Sequence, residues 1–407
     1  MTSRRTRLHL LQKDRFLRAD AKVGISLHCH THHSKEDLDF IPFYANQIPI
    51  ISRCFNKEVS KYEKREGRIV DFKTAYWSPP LTPAAVFENE RAQIAYLGLD
   101  AFVSITDHDS IAGSLKLNSS DGCARSPISV EWTVPFENGF FHCGVHNLPA
   151  DRASQTAMLL REFTDSPNPG VKPSLEELFE MLHRQKDVLI VLNHPLWDIE
   201  MIGQAEHEKL LSNFVGSYGR WLHAVEVNGF RSWSENKAAM DLAESMGVPL
   251  VAGGDRHGCD PNTVINISRS ANFEEFIDDV RTLKVNEIVF MPEYRRPLAS
   301  RQLRAFSQIL TEYPELGQRA KWMQRVFFDI GDGNGLQAVA DLGLVQGPLW
   351  IRGAIRTLGI LGNPRLAVLF RFVSRQADRL PEKIDNSAFQ SSRFEYLAGR
   401  FPSESVH

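Results

Sequence analysis

Three short strings far apart in the chain, His28-Cys29-His30, Thr106-Asp107-His108-Asp109 and Gly254-Asp255-Arg256-His257, each follow an apolar run rich in β-forming residues. A fold in which they act together must bring the carboxyl ends of three strands to one point. Successive side chains on a strand point to opposite faces, so residues two apart share a face. His28 with His30, and Asp255 with His257, are therefore each expected to reach a single centre.

The runs belong to a longer series, at 23–27, 101–105, 128–132, 140–145, 188–192, 224–227, 249–252 and 287–290, with helical patterns between many of them. Thr82 and Pro83 supply the N-cap and first residue of one helix, and Gly98 closes it. Ser174 and Glu177 have capping-box spacing at the start of a second, and a third covers 234–246 and ends at Gly247. This alternation predicts an α/β fold with a mostly parallel sheet wrapped by helices. It is interrupted over about 36–80 by an insertion lying over the strand ends, where a long loop either walls the site or only packs. Beyond Pro297, Leu303, Phe306, Ile309 and Leu310, and then Trp322, Val326 and Phe327, recur at helical spacing. The expected division is a basic N-terminal segment over 1–22, a metal-site domain over 23–294, and a helical region without strand runs over 295–407.

At 407 residues, with 43% hydrophobic and 24% charged side chains, the chain has ordinary globular composition, and a net charge of -3 argues against a protein dominated by nucleic-acid binding. Residues 295–407 hold 16 Lys or Arg against 10 Asp or Glu, net +6, which leaves 31 against 40, net -9, for the rest. The basic tail reads as solvated helix faces or as a contact for a phosphate-rich partner such as nucleic acid. The five cysteines, at 29, 54, 123, 143 and 259, lack Cys-x-x-Cys spacing and point to a reducing compartment. With no apolar stretch of about 18 residues, the expectation is a cytoplasmic protein without a membrane span.

Six of the fourteen histidines, His28, His30, His108, His142, His194 and His257, end a predicted strand or directly follow one, and Glu131 and Asp255 are placed likewise. Imidazole nitrogen with carboxylate oxygen suits zinc, manganese or iron in a catalytic rather than a thiolate-rich structural site. A carboxylate such as Glu131 can bridge two such ions.

The ordered set His28-Cys-His30-Thr, Gly98-Leu-Asp-Ala-Phe-Val-Ser-Ile-Thr-Asp-His108-Asp, Val130-Glu131, His142, Asn193-His194-Pro195 and Gly254-Asp255-Arg-His257 resembles the PHP (polymerase and histidinol phosphatase) family of metal-dependent phosphoesterases over about residues 23–260. The resemblance implies a distorted TIM-like (β/α)7 barrel with two or three divalent ions (Mn, Zn or Fe) at the carboxyl ends of its strands. By motif position, His28, His30, Glu131 and Asp255 would hold one ion, and Glu131, His142 and His194 a second. His108 and His257 would hold a third, with an aspartate five residues after His30.

Lys35 stands at that fifth position. An ammonium cannot ligate a cation, so either Glu36 or Asp37 replaces the missing acid, or only two ions bind, or Lys35 itself meets a substrate phosphate. Arg231 and Arg256 are further candidate phosphate ligands. Glu226 and Asn228 share a strand face and either support the site or touch substrate. Asp107 is expected to orient a ligand histidine by accepting its second N–H, and Cys29 and Cys143 to point away as small apolar residues.

Glu131, His257 and Asp107 are the expected catalytic residues. The expected reaction is hydrolysis of a phosphate ester, on a small phosphorylated molecule or nucleotide, by a metal-activated hydroxide, with a histidine of the third site protonating the leaving group. The alternatives are a metal-dependent amidohydrolase, a nuclease acting on nucleic-acid ends, and a non-catalytic binding module.

Overall fold

The computed structural model describes residues 5–11, 20–38, 41–42, 46, 49–67, 71–72, 74–120, 126–166, 172–329, 333–341, 349–371, 375–384 and 394. Fourteen strands are described: β1 (Thr6–Leu10), β2 (Val23–Cys29), β3 (Glu36–Asp37), β4 (Tyr76–Trp77), β5 (Asp100–Ile105), β6 (Val130–Phe136), β7 (Gly139–His146), β8 (Leu189–Leu192), β9 (Ala224–Asn228), β10 (Leu250–Arg256), β11 (Val264–Ser268), β12 (Asn286–Phe290), β13 (Val326–Asp329) and β14 (Leu336–Ala338).

Ten of them form one mixed sheet in the order β1-β12-β11-β2-β10-β9-β8-β7-β6, with β5 also paired to β2. Pairing from β5 through β2, β10, β9 and β8 is parallel, whereas β8–β7 and β7–β6 are antiparallel. The sheet is thus less parallel than the alternating pattern predicted, because β6 and β7 are joined by the short turn at Glu137 rather than by a crossover helix. The ends of this run meet: His108, just after β5, bridges Glu131 of β6 in parallel, with Asp109 N–H donating to the Glu131 carbonyl at 2.9 Å.

β11 takes the amino-terminal half of β2 in antiparallel pairing, and β10 takes its carboxyl-terminal half. The buried Asn266 of β11 completes the join. Its amide accepts from Ala252 N–H and donates to the carbonyls of Ile25 and Ala252, at 2.7, 3.2 and 2.9 Å, so these main-chain groups are satisfied by a side chain.

The helix caps follow the sequence. Thr82 accepts from Ala85 N–H before the helix Pro83–Ala95, Ser174 and Glu177 form a capping box before Leu175–His183, and Gly247 closes Trp233–Met246 with φ +69°. The apolar faces of Leu175–His183, Gln204–Tyr218 and Trp233–Met246 pack with the strands into the main core around Trp132, Phe179 and Phe214.

Two parts of the chain depart from expectation. Thr6–Leu10, within the segment read as a basic extension, pairs in parallel with β12, and Arg7 and His9 both meet Glu287. Val326 and Phe327, read as helical, lie in β13 of a second sheet ordered β14-β13-β4-β3. A β-branched and aromatic run pairing with Tyr76–Trp77 outweighs its helical spacing. The insertion and the C-terminal region therefore share one sheet.

Arg304, Arg319 and Arg325 of the basic tail are turned inward. Arg325, 2% exposed, donates to the carbonyls of Ile309, Thr311, Arg319 and Ala320; Arg319 donates to the His32 carbonyl; Arg304 pairs with Asp260. Lys321, Arg352, Arg356, Arg365, Arg371, Arg375, Arg379 and Lys383 are exposed, so much of the +6 balance lies on solvated faces.

Gly253 of β10 pairs with Asn228 of β9. A Cβ there would lie 1.7 Å from Glu226 Oε1 and 3.0 Å from His28 Cβ. Gly253→Ala is expected to destabilise the protein by about 1–3 kcal/mol, read as a lowered melting temperature, while Gly353→Ala, in open space inside the helix Leu349–Leu361, does not lower it.

Candidate metal centre

The ligand-bearing strand ends are not regular. Pairing of β2 with β5 slips between Ser26 and Cys29, and pairing of β10 with β2 slips between Gly253 and Arg256. Within those irregularities His28 and Asp255 take the left-handed conformation, φ +63° and +52°, and His194 after β8 has φ +26°. Such backbone costs about 1–2 kcal/mol per non-glycine residue and gathers where a site demands it. His28 and His30 do converge, but through a bulge, not through the simple alternation of an extended strand.

They converge on Glu131. Its Oε2 lies 3.0 Å from His28 Nε2, 3.3 Å from His30 Nε2 and 3.3 Å from His108 Nδ1. Its Oε1 lies 3.2 Å from His194 Nε2 and 3.5 Å from His142 Nδ1, and accepts from Asn193 Nδ2 at 2.9 Å. Burial alone would raise the Glu131 carboxyl, but His28, His108 and His142 hold it well below the usual carboxylate range. Asp255 Oδ1 stands 3.8 and 3.7 Å from His28 and His30 Nε2, while Oδ2 accepts from Arg231 Nη2 at 3.0 Å. Against the effect of its burial, Arg231, His28 and His257 keep this carboxyl low as well.

A second focus is Glu36. Its Oε2 is 3.0 Å from His257 Nε2 and 3.3 Å from His108 Nε2, and its Oε1 is 3.8 Å from His30 Nδ1. Ser34 Oγ donates to Oε1 at 2.6 Å and accepts from His108 N–H at 3.1 Å, locking the acid and the histidine to one loop. Of the alternatives open at Lys35, the structure brings Glu36 into the cluster. Asp37, next along β3, is exposed, and so is Lys35, whose Nζ lies 5.1 Å from the Tyr76 ring. Burial opposes charge on His108, yet Glu36 and Glu131 push it up to about 10.

Three groups of side chains have ligand atoms within 4.8 Å of one another: His28, His30 and Glu131; His108, Glu131 and His142; and His30, Glu36, His108 and His257. The donor set fits divalent ions. His28 Nε2, His30 Nε2 and Glu131 Oε2 are buried and make no hydrogen bond, although they face one another. Polar atoms left so inside a protein are costly unless a shared cation completes them. A neutral imidazole has one free lone pair, so His30 and His108, each in two groups, serve one ion at a time.

Around the groups stand residues that fix them. Glu226 Oε1 holds His28 Nδ1 at 2.5 Å, and its Oε2 accepts from His194 N–H and Asn228 Nδ2, both at 2.8 Å. This buried carboxylate behind a histidine is the partner the sequence assigned to Asp107. Asp107 instead accepts from Thr31 N–H at 2.6 Å and Thr31 Oγ1 at 2.8 Å, and so fixes the turn after His30. Burial raises its carboxyl to about 7 against those two hydrogen bonds.

Arg231 is stacked on Trp197, 3.6 Å from the ring, as it holds Asp255. Arg256 turns away from the cluster to the buried Glu90, 2.8 Å from its Nε, so of the two arginines expected at a phosphate only Arg231 borders the centre. Cys143 is packed in the core, and Cys29, fully buried, lies against Ser26 and Asn262. Side chains at 54 and 123 are outside the described residues. Sequence reasoning gave no role to Ser34, Asn193, Trp197 or Trp77, whose ring lies 5.8 Å from His257. Of these only Asn193 carried a signal, by adjoining His194.

No family model matches the chain, and no curated protein matches it. Among solved structures it is similar to PsfC from Pseudomonas syringae (13% identity, 69% of this chain and 96% of that one, TM-score 0.37). It is also similar to an amidohydrolase from Chromobacterium violaceum (20%, 44% and 84%, 0.31) and a provisionally assigned metal-dependent phosphoesterase from Bifidobacterium adolescentis (14%, 64% and 96%, 0.34). Likeness this slight leaves the chemistry to be inferred from the geometry of the centre.

Glu36→Gln is expected to lower the metal content of reconstituted protein by one ion per chain relative to wild type, and Lys35→Ala to leave it unchanged, by elemental analysis after desalting. Equal content in Glu36→Gln and wild type would remove Glu36 from the ligand set.

Proposed function

We propose that the chain is a metal-dependent hydrolase of PHP type, built on a distorted seven-stranded barrel and acting on a phosphate ester, with a small phosphomonoester or nucleotide preferred. The observation that carries this reading is Glu131, whose two oxygens face different sets of imidazoles, as a carboxylate shared by two cations must. His28, His30, Glu131 and Asp255 would hold one ion and Glu131, His142 and His194 another, with His257, Glu36 and His108 around a third. Bound there, divalent ions would polarise phosphoryl oxygens and make water acidic enough to supply a nucleophile at neutral pH.

The protein's own groups do the rest. Glu226 fixes the His28 ring so that Nε2 is the atom presented to the centre. Arg231 keeps Asp255 ionised and, beside Trp197, offers a positive charge to a substrate phosphate. His257 Nδ1 lies 3.1 Å from the Asp255 carbonyl; donating there leaves Nε2 as the atom that would ligate an ion of the third group or, with that group unfilled, carry a proton to the leaving oxygen. Trp77 walls that side.

The net -9 of residues 1–294, which carry the centre, favours a small substrate over a polynucleotide held along a basic surface. Among the described residues no helix is long and apolar enough to cross a membrane. The free thiols of Cys29, Cys143 and Cys259 fit a reducing, cytoplasmic setting.

A panel of p-nitrophenyl phosphate, bis-p-nitrophenyl phosphate, nucleotides, short oligonucleotides and simple amides, assayed with added Mn, Zn or Fe, tests the reading. Turnover of a phosphomonoester, abolished by chelation and in Glu131→Ala and His194→Ala with circular dichroism unchanged, is expected; amide turnover alone would contradict it. Glu226→Gln should lower metal affinity or activity by about 10–100-fold, measured by metal titration and initial rates.

A further inference from the structure

Beside the end of β10 lies a cavity of about 480 Å3, walled in part by Arg256, Asn262, Arg296, Arg301 and Arg304. Two of these arginines have carboxylate partners: Arg256 has Glu90, and Arg304 has Asp260. Arg301 has none within ion-pair distance among the described residues. It is 8% exposed, and its guanidinium donates to the carbonyl oxygens of Gly229, Arg231 and Arg296 and lies over the Tyr294 ring, 4.4 Å from its centroid. Arg296 is likewise without an ion pair there, and Glu293 is the remaining acid of the wall. Arg256 adds a second observation, since its buried Nη2 has no hydrogen-bond partner.

A guanidinium taken out of water against carbonyls and an aromatic ring keeps its charge without a carboxylate in ion-pair contact. Burial lowers Arg301 from its ordinary value, more than Tyr294 and Glu235 restore it. Several planar donor groups around one cavity, with positive charge left over, match the oxygens of a phosphate or carboxylate.

We propose that this cavity binds a small molecule through its phosphate or carboxylate group, held by Arg301 and Arg296, at a site separate from the histidine–carboxylate centre. Gly254, Arg256 and His257 line the same cavity and interleave with Asp255, so an occupant rests against the segment that delivers Asp255 and His257 to the centre. The site does not depend on the hydrolytic reaction, and its test uses binding without metal or turnover.

Calorimetric titration of the metal-free full chain with pyrophosphate, and separately with succinate, tests it, and the tighter of the two identifies the group bound. One-to-one binding of at least one is expected, weakened tenfold or more in Arg296→Ala and unchanged in Glu131→Gln. Arg301→Met, where circular dichroism shows it folded, should weaken binding at least as much. No binding of either anion, equal affinity in Arg296→Ala and wild type, or a comparable loss in Glu131→Gln would overturn the proposal.

Discussion

Glu131 is fully buried, yet six polar side chains are turned toward its two oxygens: five imidazoles and the Asn193 amide. A carboxylate in that position is tolerable only with charge or hydrogen bonds around it. The same residue links β6 to the segment after β5, because its main chain bridges His108 and exchanges hydrogen bonds with Asp107 and Asp109. The residue that bridges these two strand ends is therefore also the one on which the site converges. The left-handed backbone at His28, His194 and Asp255 is the strain this convergence imposes.

The second sheet explains what the insertion and the C-terminal region do for the centre. Val326 of β13 pairs with Trp77 of β4, and Trp77 pairs with Glu36 of β3. A strand about 290 residues downstream in the sequence therefore sets the face on which Glu36 points. Arg319 and Arg325 reinforce the join by bonding the His32 carbonyl and the turn around Ala320. This is why an acid one position later than expected still meets His108 and His257, while Lys35, directly before β3, is exposed.

Much of this was legible. All eight runs read as strands overlap strands in the fold, and the cap signals at Thr82, Ser174 and Gly247 mark real helix ends. His28, His30, His108, Glu131, His142, His194, Asp255 and His257 come together; the five histidines other than His142, and Asp255, end or follow a strand whose end is set by apolar patterning, while Glu131 stands at the start of β6 and His142 in the middle of β7. What local pattern does not encode was missed. β11 was hidden by Asn266, whose polarity serves pairing with two strands remote in sequence. Val326 and Phe327 fit a helical spacing and a strand equally, and only the partner at Tyr76–Trp77 decides. Arg256 and Asp107 were given site roles by adjacency, yet a neighbouring residue on extended backbone faces elsewhere, to Glu90 and to Thr31.

The central claim is that Glu131 is shared between two cations. Anomalous diffraction at the manganese edge from crystals grown with Mn tests it most directly. The account predicts two peaks about 3.5–4 Å apart on either side of the Glu131 carboxylate, one toward His28 and His30 and the other toward His142 and His194. A single peak confined to one side of Glu131, or none near it, would contradict the account.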